Sequence, residues 1–104
     1  MKKHHEIFGY NKPKYTRHFL ERYAERFYGI REDYLSSWVK FNYEKLLLEI
    51  TKRIYAGIKL DTSHEQYDYL LRKFGKDVIL LKDKRAIFVI RNYINVVTVY
   101  KEEK

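Results

Sequence analysis

Apolar side chains recur at helical spacing from residue 16 onward: Phe19, Leu20, Tyr23, Ala24 and Phe27 form one face. Arg17, His18, Glu21, Arg22, Glu25 and Arg26 form the other. The pattern predicts an amphipathic helix. Thr16 stands where an N-cap belongs, Tyr15 and Leu20 have the spacing of a hydrophobic staple, and the helix is expected to end near Tyr28–Gly29. Helical spacing resumes over residues 32–56. It is firmest after Asn42, where Tyr43, Leu47, Ile50 and Ile54 recur and Gly57 offers a stop. The pattern is less regular around Trp38, which fits a break near Phe41–Asn42 with Asn42 capping a separate helix. A further helix is expected from Ser63 to Phe74: Ser63 and Gln66 have capping-box spacing, Tyr67, Leu70, Leu71 and Phe74 give the stripe, and Gly75 follows.

The last third changes period. DVILLK (77–82), RAIFVIR (85–91) and NVVTVYK (95–101) are β-branched and aromatic, separated by Asp83–Lys84 and by Asn92–Tyr93–Ile94. They read as a three-stranded antiparallel meander. A two-residue loop at Asp83–Lys84 would pair Lys82 with Arg85, Leu80 with Ile87 and Val78 with Val89. The opposite face would carry Ile79, Leu81, Ala86 and Phe88. Both faces are apolar, so helices are expected to cover one and shelter part of the other. The second hairpin has two registers. A three-residue loop at 92–94 pairs Arg91 with Asn95 and Phe88 with Thr98, placing Thr98 and Tyr100 with Ala86, Phe88 and Ile90 in the core. A four-residue loop at 92–95 pairs Arg91 with Val96 and Val89 with Thr98, placing Thr98, Tyr100, Arg85 and Arg91 on one face. The expected fold class is α+β, with N-terminal helices packed on a C-terminal three-stranded antiparallel meander. A flexible N-terminus (1–14) would precede a single domain (15–104).

A length of 104 residues suits one core, and 45 % hydrophobic residues are enough to form it despite 35 % charged ones. With no cysteine, disulfides, thiolate catalysis and cysteine-ligated zinc are excluded. No apolar run is long enough to span a bilayer, and MKKHHEIFGYNK lacks the apolar stretch of a signal peptide, so a cytoplasmic protein with no membrane partner is expected. Lysine and arginine number 22 against 14 aspartate and glutamate, a formal charge of +8. That balance favours RNA or another polyanion as partner, or else belongs to an ordinary solvated surface. Richness in Lys, Ile, Tyr, Asn and Phe is also what an AT-rich genome encodes.

Charge changes the view of the first helix. His18, Arg22 and Arg26 form a row of i,i+4 neighbours, drifting about 40° per step toward the apolar border. Arg22 and Arg26 alone repel weakly, by a few tenths of a kcal/mol at roughly this spacing, and an anion between them would reverse the sign. The alternative is a salt-laced face in which Glu21 pairs with His18 and Glu25 with Arg22 at i,i+3.

H-x-x-x-R-x-x-x-R over His18, Arg22 and Arg26, with the terminal strand VVTVY (96–100), resembles a family of small bacterial and phage domains of unknown function. That family pairs a helix of the type H-x-x-x-R-M-x-x-R with a final V-V-T-V-Y strand. It is grouped with the barnase, EndoU, colicin and RelE-like metal-independent ribonucleases. The matching positions are His18, Arg22, Arg26, Thr98 and Tyr100, though the helical stretch after Arg26 is longer than the family's. The resemblance implies a toxin-like endoribonuclease without cofactor or metal. In it His18 would act as general acid or base, Arg22 and Arg26 would clamp the phosphate, and Thr98 would assist. Arg85, Arg91 and Tyr100 are the accompanying candidates for nucleic-acid contact, and Thr98 and Tyr100 are equally good ordinary strand residues. The rival is a non-catalytic phage or mobile-element protein that binds and inhibits a host protein or RNA, and an antitoxin would be a further protein partner. His4–His5–Glu6 and DTSHE (61–65) lack the spacing of a metal loop, and His64 is expected to face solvent. No P-loop, dinucleotide fingerprint or nucleophile elbow occurs.

Overall fold

Thr16 does start the first helix: in the computed structural model, which describes residues 13–92 and 94–102, its hydroxyl accepts the Phe19 N–H at 3.0 Å. The elements are β1 (Lys14–Tyr15), α1 (Arg17–Tyr28), α2 (Glu32–Phe41), α3 (Tyr43–Ala56), β2 (Ile58–Lys59), α4 (Tyr67–Phe74), β3 (Ile79–Asp83), β4 (Ala86–Arg91) and β5 (Asn95–Lys101). Of the segment expected to be flexible, residues 1–12 lie outside the described residues, whereas Lys14 belongs to β1. Gly29 closes α1 with φ of 67°, a left-handed conformation that glycine adopts without a steric penalty. Instead of meeting Leu20 alone, Tyr15 stacks on Phe19 with centroids 5.6 Å apart.

The break at Phe41–Asn42 is present and Asn42 is the N-cap residue of α3, its carbonyl accepting the Leu46 N–H at 2.9 Å, but its side chain serves the preceding helix. Its backbone N–H and its side-chain Nδ2 both donate to the Trp38 carbonyl, at 3.0 and 2.9 Å, and its side chain makes no cap bond to α3. The helix expected from Ser63 begins only at Tyr67. Asp61 is the reason: its Oδ1 accepts from the Ser63 N–H at 2.9 Å and from the Ser63 hydroxyl at 2.8 Å. The bonds that would have capped a helix are thereby spent on a turn.

The meander β3–β4–β5 is antiparallel throughout, and a two-residue strand extends it at each edge. The result is a five-stranded mixed sheet in the order β1-β5-β4-β3-β2, with β1 parallel to β5. The first hairpin turns at Lys84–Arg85, one residue later than expected, with Asp83 opposite Ala86 and Leu80 opposite Val89. Lys84, at φ 57°, takes the left-handed position such a loop needs. The shift is two residues in register, so every side chain keeps its expected face. In the second hairpin both registers are realised in turn. Arg91 pairs with Asn95 and Ile90 with Val96; a bulge then leaves Val97 unpaired, and Val89 pairs with Thr98 and Ile87 with Tyr100.

The two faces of the sheet carry separate layers. Leu81, Ala86, Phe88, Ile90, Val96 and Val99 pack under α1, α2 and α3, where Phe19, Leu20, Tyr23, Leu35, Leu46, Ile50 and Ile54 are buried. Leu80, Ile87 and Val89 on the other face pack with Leu60, Val78 and Leu70, the last from α4. Burying each such aliphatic or aromatic side chain contributes about 1.5–3 kcal/mol, so both layers hold the sheet in place. Gly57 ends α3, and a Cβ there would meet the carbonyl oxygens of Ile54 and Lys82 at 3.3 Å each. Its small size, with extended φ of −74°, lets the helix end touch β3. No helix among the described residues is long and apolar enough to cross a membrane.

Candidate nucleic-acid interface

The apolar side of α1 is pinned to the sheet by Phe19, whose ring lies 6.1 Å from that of Phe88. That orientation places the row His18, Arg22 and Arg26 toward the outer side of the helix, and the three residues have different environments. His18 is exposed and makes no hydrogen bond or ion pair among the described residues. Arg22 pairs through Nη1 with Oε1 of Glu25 on its own helix, and its Nε is buried without a partner among the described residues. Arg26 donates through Nη1 to the Val99 carbonyl, and Lys101 Nζ donates back to the Arg26 carbonyl at 3.3 Å. The row is therefore one exposed imidazole, one salt-bridged arginine and one arginine docked on β5.

Thr98 does not join the row. It is buried opposite Val89 on the face covered by α4, while Val99 turns toward the α1 side. The bulge at Val97 produces this placement; without it Thr98 would have paired with Phe88 and faced the three-helix layer. Tyr100 shares the face of Thr98 but is half-buried, and it is where cations gather. The Arg26 guanidinium lies 5.3 Å from its ring centroid and the Lys73 ammonium 5.7 Å. Phe74 meets the same ring edge-on at 6.3 Å. Lys73 also lies over Tyr69 and Phe74, at 5.8 and 5.7 Å, and its pKa is raised chiefly by hydrogen bonding to Tyr100. Arg91 reaches the same aromatic group from β4, 6.0 Å from the Phe74 centroid, and donates to the Phe74 carbonyl at 3.3 Å. Arg85 stands apart near the first hairpin turn, its Nε donating to the Glu102 carbonyl at 3.2 Å.

Of the residues singled out in the sequence, Arg26, Arg91 and Tyr100 thus meet in one cation–aromatic cluster; His18, Arg22, Thr98 and Arg85 do not. Lys73, Phe74 and Tyr69 belong to the cluster and escaped sequence reasoning. Their signal was the YDYLLRKF helix (67–74), whose exposed side sets Tyr69 beside Arg72 and Lys73. The cations lie on rings at distances where cation–π attraction operates, about 0.5–1 kcal/mol each at exposed sites.

A second polar network was missed altogether. Arg53 of α3 donates to Asp83 Oδ2 at 2.9 Å, to the Asp83 carbonyl at 3.1 Å and to the Tyr23 hydroxyl at 2.9 Å. Tyr23 in turn donates to Glu49 Oε2 at 2.6 Å, and the Tyr28 hydroxyl bonds the other Glu49 oxygen. Burial, then the Glu49 carboxylate, raise the Tyr23 pKa above the usual tyrosine range. The network fixes α3 to the β3–β4 turn. The sequence clue was an arginine between Ile50 and Ile54, at a core-facing position of the stripe.

His64, expected to face solvent, is instead drawn in. Its Nδ1 accepts the Gln66 N–H at 3.1 Å, and Nε2 lies 2.5 Å from Glu102 Oε2. Lys82 Nζ reaches the other Glu102 oxygen at 3.2 Å. The His64 bond, then Lys82, hold the Glu102 carboxyl below its ordinary range. With Nδ1 accepting a backbone N–H, Nε2 is the ring nitrogen left to face Glu102. No group of three or more potential metal ligands occurs among the described residues; His4, His5 and Glu6 lie outside them. Comparison of the chain with family models, curated proteins and solved structures finds no match.

Proposed function

We propose that this chain binds RNA through the cation–aromatic cluster of Tyr100, Phe74 and Tyr69 with Arg26, Lys73 and Arg91. The observation that carries the proposal is the convergence of α1, α4, β4 and β5 on these rings, each bringing a cation or an aromatic side chain. Single-stranded nucleic acid needs this combination: guanidinium and ammonium groups for phosphates, with rings on which unstacked bases can rest. The formal charge of +8 supplies long-range attraction. Anisotropy of a fluorescent single-stranded RNA, titrated across a salt series, tests the proposal. Lys73→Gln and Arg91→Gln should each weaken binding, and each should lower the slope of log K against log salt by about 0.7 per lost phosphate contact. Binding that is absent at low salt, or unchanged by both substitutions, refutes it.

The position of His18 favours a second reading. An exposed imidazole without a partner among the described residues is free to transfer protons, as metal-independent RNA cleavage of the toxin-like kind requires. In that reading Arg22 leaves Glu25, and Arg26 leaves Val99, to hold the phosphate, while Thr98, buried on the other face of the sheet, takes no part. Total cellular RNA incubated in EDTA with the protein and its His18→Ala variant separates the two. Cleavage lost in the variant supports the nuclease; intact RNA with both proteins leaves a non-catalytic binder.

A further inference from the structure

On the helical layer that covers the opposite sheet face from α4, two hollows meet. One, of about 790 Å³, runs between β1 and α3 and is floored by Tyr15, Leu47 and Leu48. The other, of about 550 Å³, lies between the start of α1 and α2, over Leu20 and Val39. Tyr15 and Tyr43 line both, so the two form one continuous trough. Leu20 and Val39 are buried beneath it, but other apolar side chains are open to water: Leu48 is 63 % exposed and Tyr43 49 %, and Phe41, at 92 %, projects from the adjoining elbow. Isolated exposed hydrophobics are ordinary, but a contiguous group along a trough marks an interaction surface.

Charge identifies the occupant. The charged side chains lining the trough are Lys14, Arg17 and Lys40 against Glu44; Arg17 also pairs with Glu21 on its own helix at 3.3 Å, whereas Lys14 and Lys40 have no ion partner among the described residues. A second copy of this chain would set the same cations face to face on a protein already at +8. The chain's own residues 1–12 bring Lys2, Lys3 and Lys12 against Glu6, the wrong sign again. We infer that the trough formed by Tyr15, Tyr43 and Leu48 under the cations Lys14, Arg17 and Lys40 docks an acidic amphipathic segment of a partner protein. Apolar anchors at i, i+3 or i+4 and i+7 would fill the floor, and carboxylates beside them would meet the cationic rim. The surface involves neither Tyr100 nor Lys73, so it can be occupied while RNA is bound.

The test uses the full chain and a fluorescein-labelled helical probe peptide with Leu and Trp at anchor spacing and Glu elsewhere. An otherwise identical peptide with Gln in place of Glu is the control. The Glu probe should bind more tightly than the Gln control, with Kd on the order of 10 µM. Leu48→Ala and Lys40→Glu should each weaken it about tenfold, a loss readable against the unchanged parent. Both positions are exposed, and a far-UV circular dichroism melt verifies that the variants stay folded. Probe binding should persist when saturating poly(U) occupies the RNA face. Equal binding of the Glu and Gln peptides overturns the proposal, as does a probe that poly(U) displaces and Leu48→Ala leaves unaffected. A concentration-dependent dimer that Leu48→Ala dissolves would make a second copy the occupant. Probe binding that appears only after Ile7 and Phe8 are changed to Ser would make the chain's own N-terminal segment the occupant. Either result overturns the acidic partner.

Discussion

Replacing Arg53 by Met should cost about 2–3 kcal/mol of stability, most of it through Asp83. The methionine keeps the apolar stem beside Tyr23, Phe27 and Phe88, whose ring centroids lie 5.0–5.9 Å from the guanidinium carbon. It loses the two bonds to Asp83 and the bond to the Tyr23 hydroxyl. A hydrogen bond to a charged group contributes about 1.5–3 kcal/mol net. The side chains of Arg53 and Asp83 are 20 % and 16 % exposed, so water recovers only a small part. Asp83 would remain, sheltered and without its cation, at the position where β3 turns into β4. Asp83→Asn alone should cost about 1–2 kcal/mol, and the double variant should fall short of the sum by about 1.5 kcal/mol, because the second change removes a charge the first has already orphaned. Urea unfolding followed by far-UV circular dichroism reads these values. With a denaturant slope of about 1–3 kcal/mol per molar, Arg53→Met should lower the midpoint by about 0.7–3 M. A midpoint equal to that of the parent would mean that a well-packed hydrophobic side chain replaces the ion pair without loss. Single changes that add to within about 0.3 kcal/mol would mean the pair is not coupled. Either result refutes the assignment of the network as the clamp between α3 and the hairpin.

Two further outcomes follow from individual groups. Tyr15 is pushed up to about 12 chiefly by burial, and Tyr28 to about 12 chiefly by its bond to Glu49, from an ordinary 10.0. The folded chain keeps protons that the unfolded chain releases, so stability should fall as pH rises past about 10 and go on falling until the folded-state values are passed. Absorbance at 295 nm should then show part of the tyrosine titration coinciding with unfolding, and a single unperturbed titration would refute it. Gly57→Ala has an allowed φ and gains about 0.4–1 kcal/mol by stiffening the unfolded chain. The new Cβ meets two backbone oxygens at 3.3 Å, however, and neither belongs to a flexible side chain. The net effect should be a loss of about 1 kcal/mol, seen as a melting point lower by about 4–8 °C, and a rise would show that α3 can pull back from β3.

The parts of the fold that local chemistry governs were legible in the sequence. Thr16 and Gly29 bound α1 through one cap bond and one left-handed residue, and the alternation in 79–90 assigns each side chain to its face. Where two local options competed, the sequence could not choose between them. Ser63 can cap a helix or close a turn with Asp61, and the turn won. Asn42 can start α3 or finish α2, and it does both, its carbonyl opening α3 while its side chain closes α2. The two-residue strands β1 and β2 have no local signature; they exist because chain already fixed by helices passes beside β5 and β3. The site followed the same division. That Arg26, Arg91 and Tyr100 carry charge and rings was plain, but their meeting depends on α4 crossing the sheet, and the separation of Thr98 from α1 depends on the bulge at Val97.

β1 covers β5 only at Asn95 and Val96, so the strand from Val97 onward is an open edge among the described residues. Such an edge is a template on which another chain can add a strand and begin to aggregate. Here the bulge twists the edge away, and the Arg26 guanidinium occupies the Val99 carbonyl that an incoming strand would seek. The arginine that sequence reasoning singles out for phosphate is thus also a plug in the sheet's margin. Its removal uncovers a sticky strand as well as a gap in the basic surface. A ligand that drew Arg26 off Val99 would do the same, leaving the liganded chain more prone to associate with its own kind than the free one.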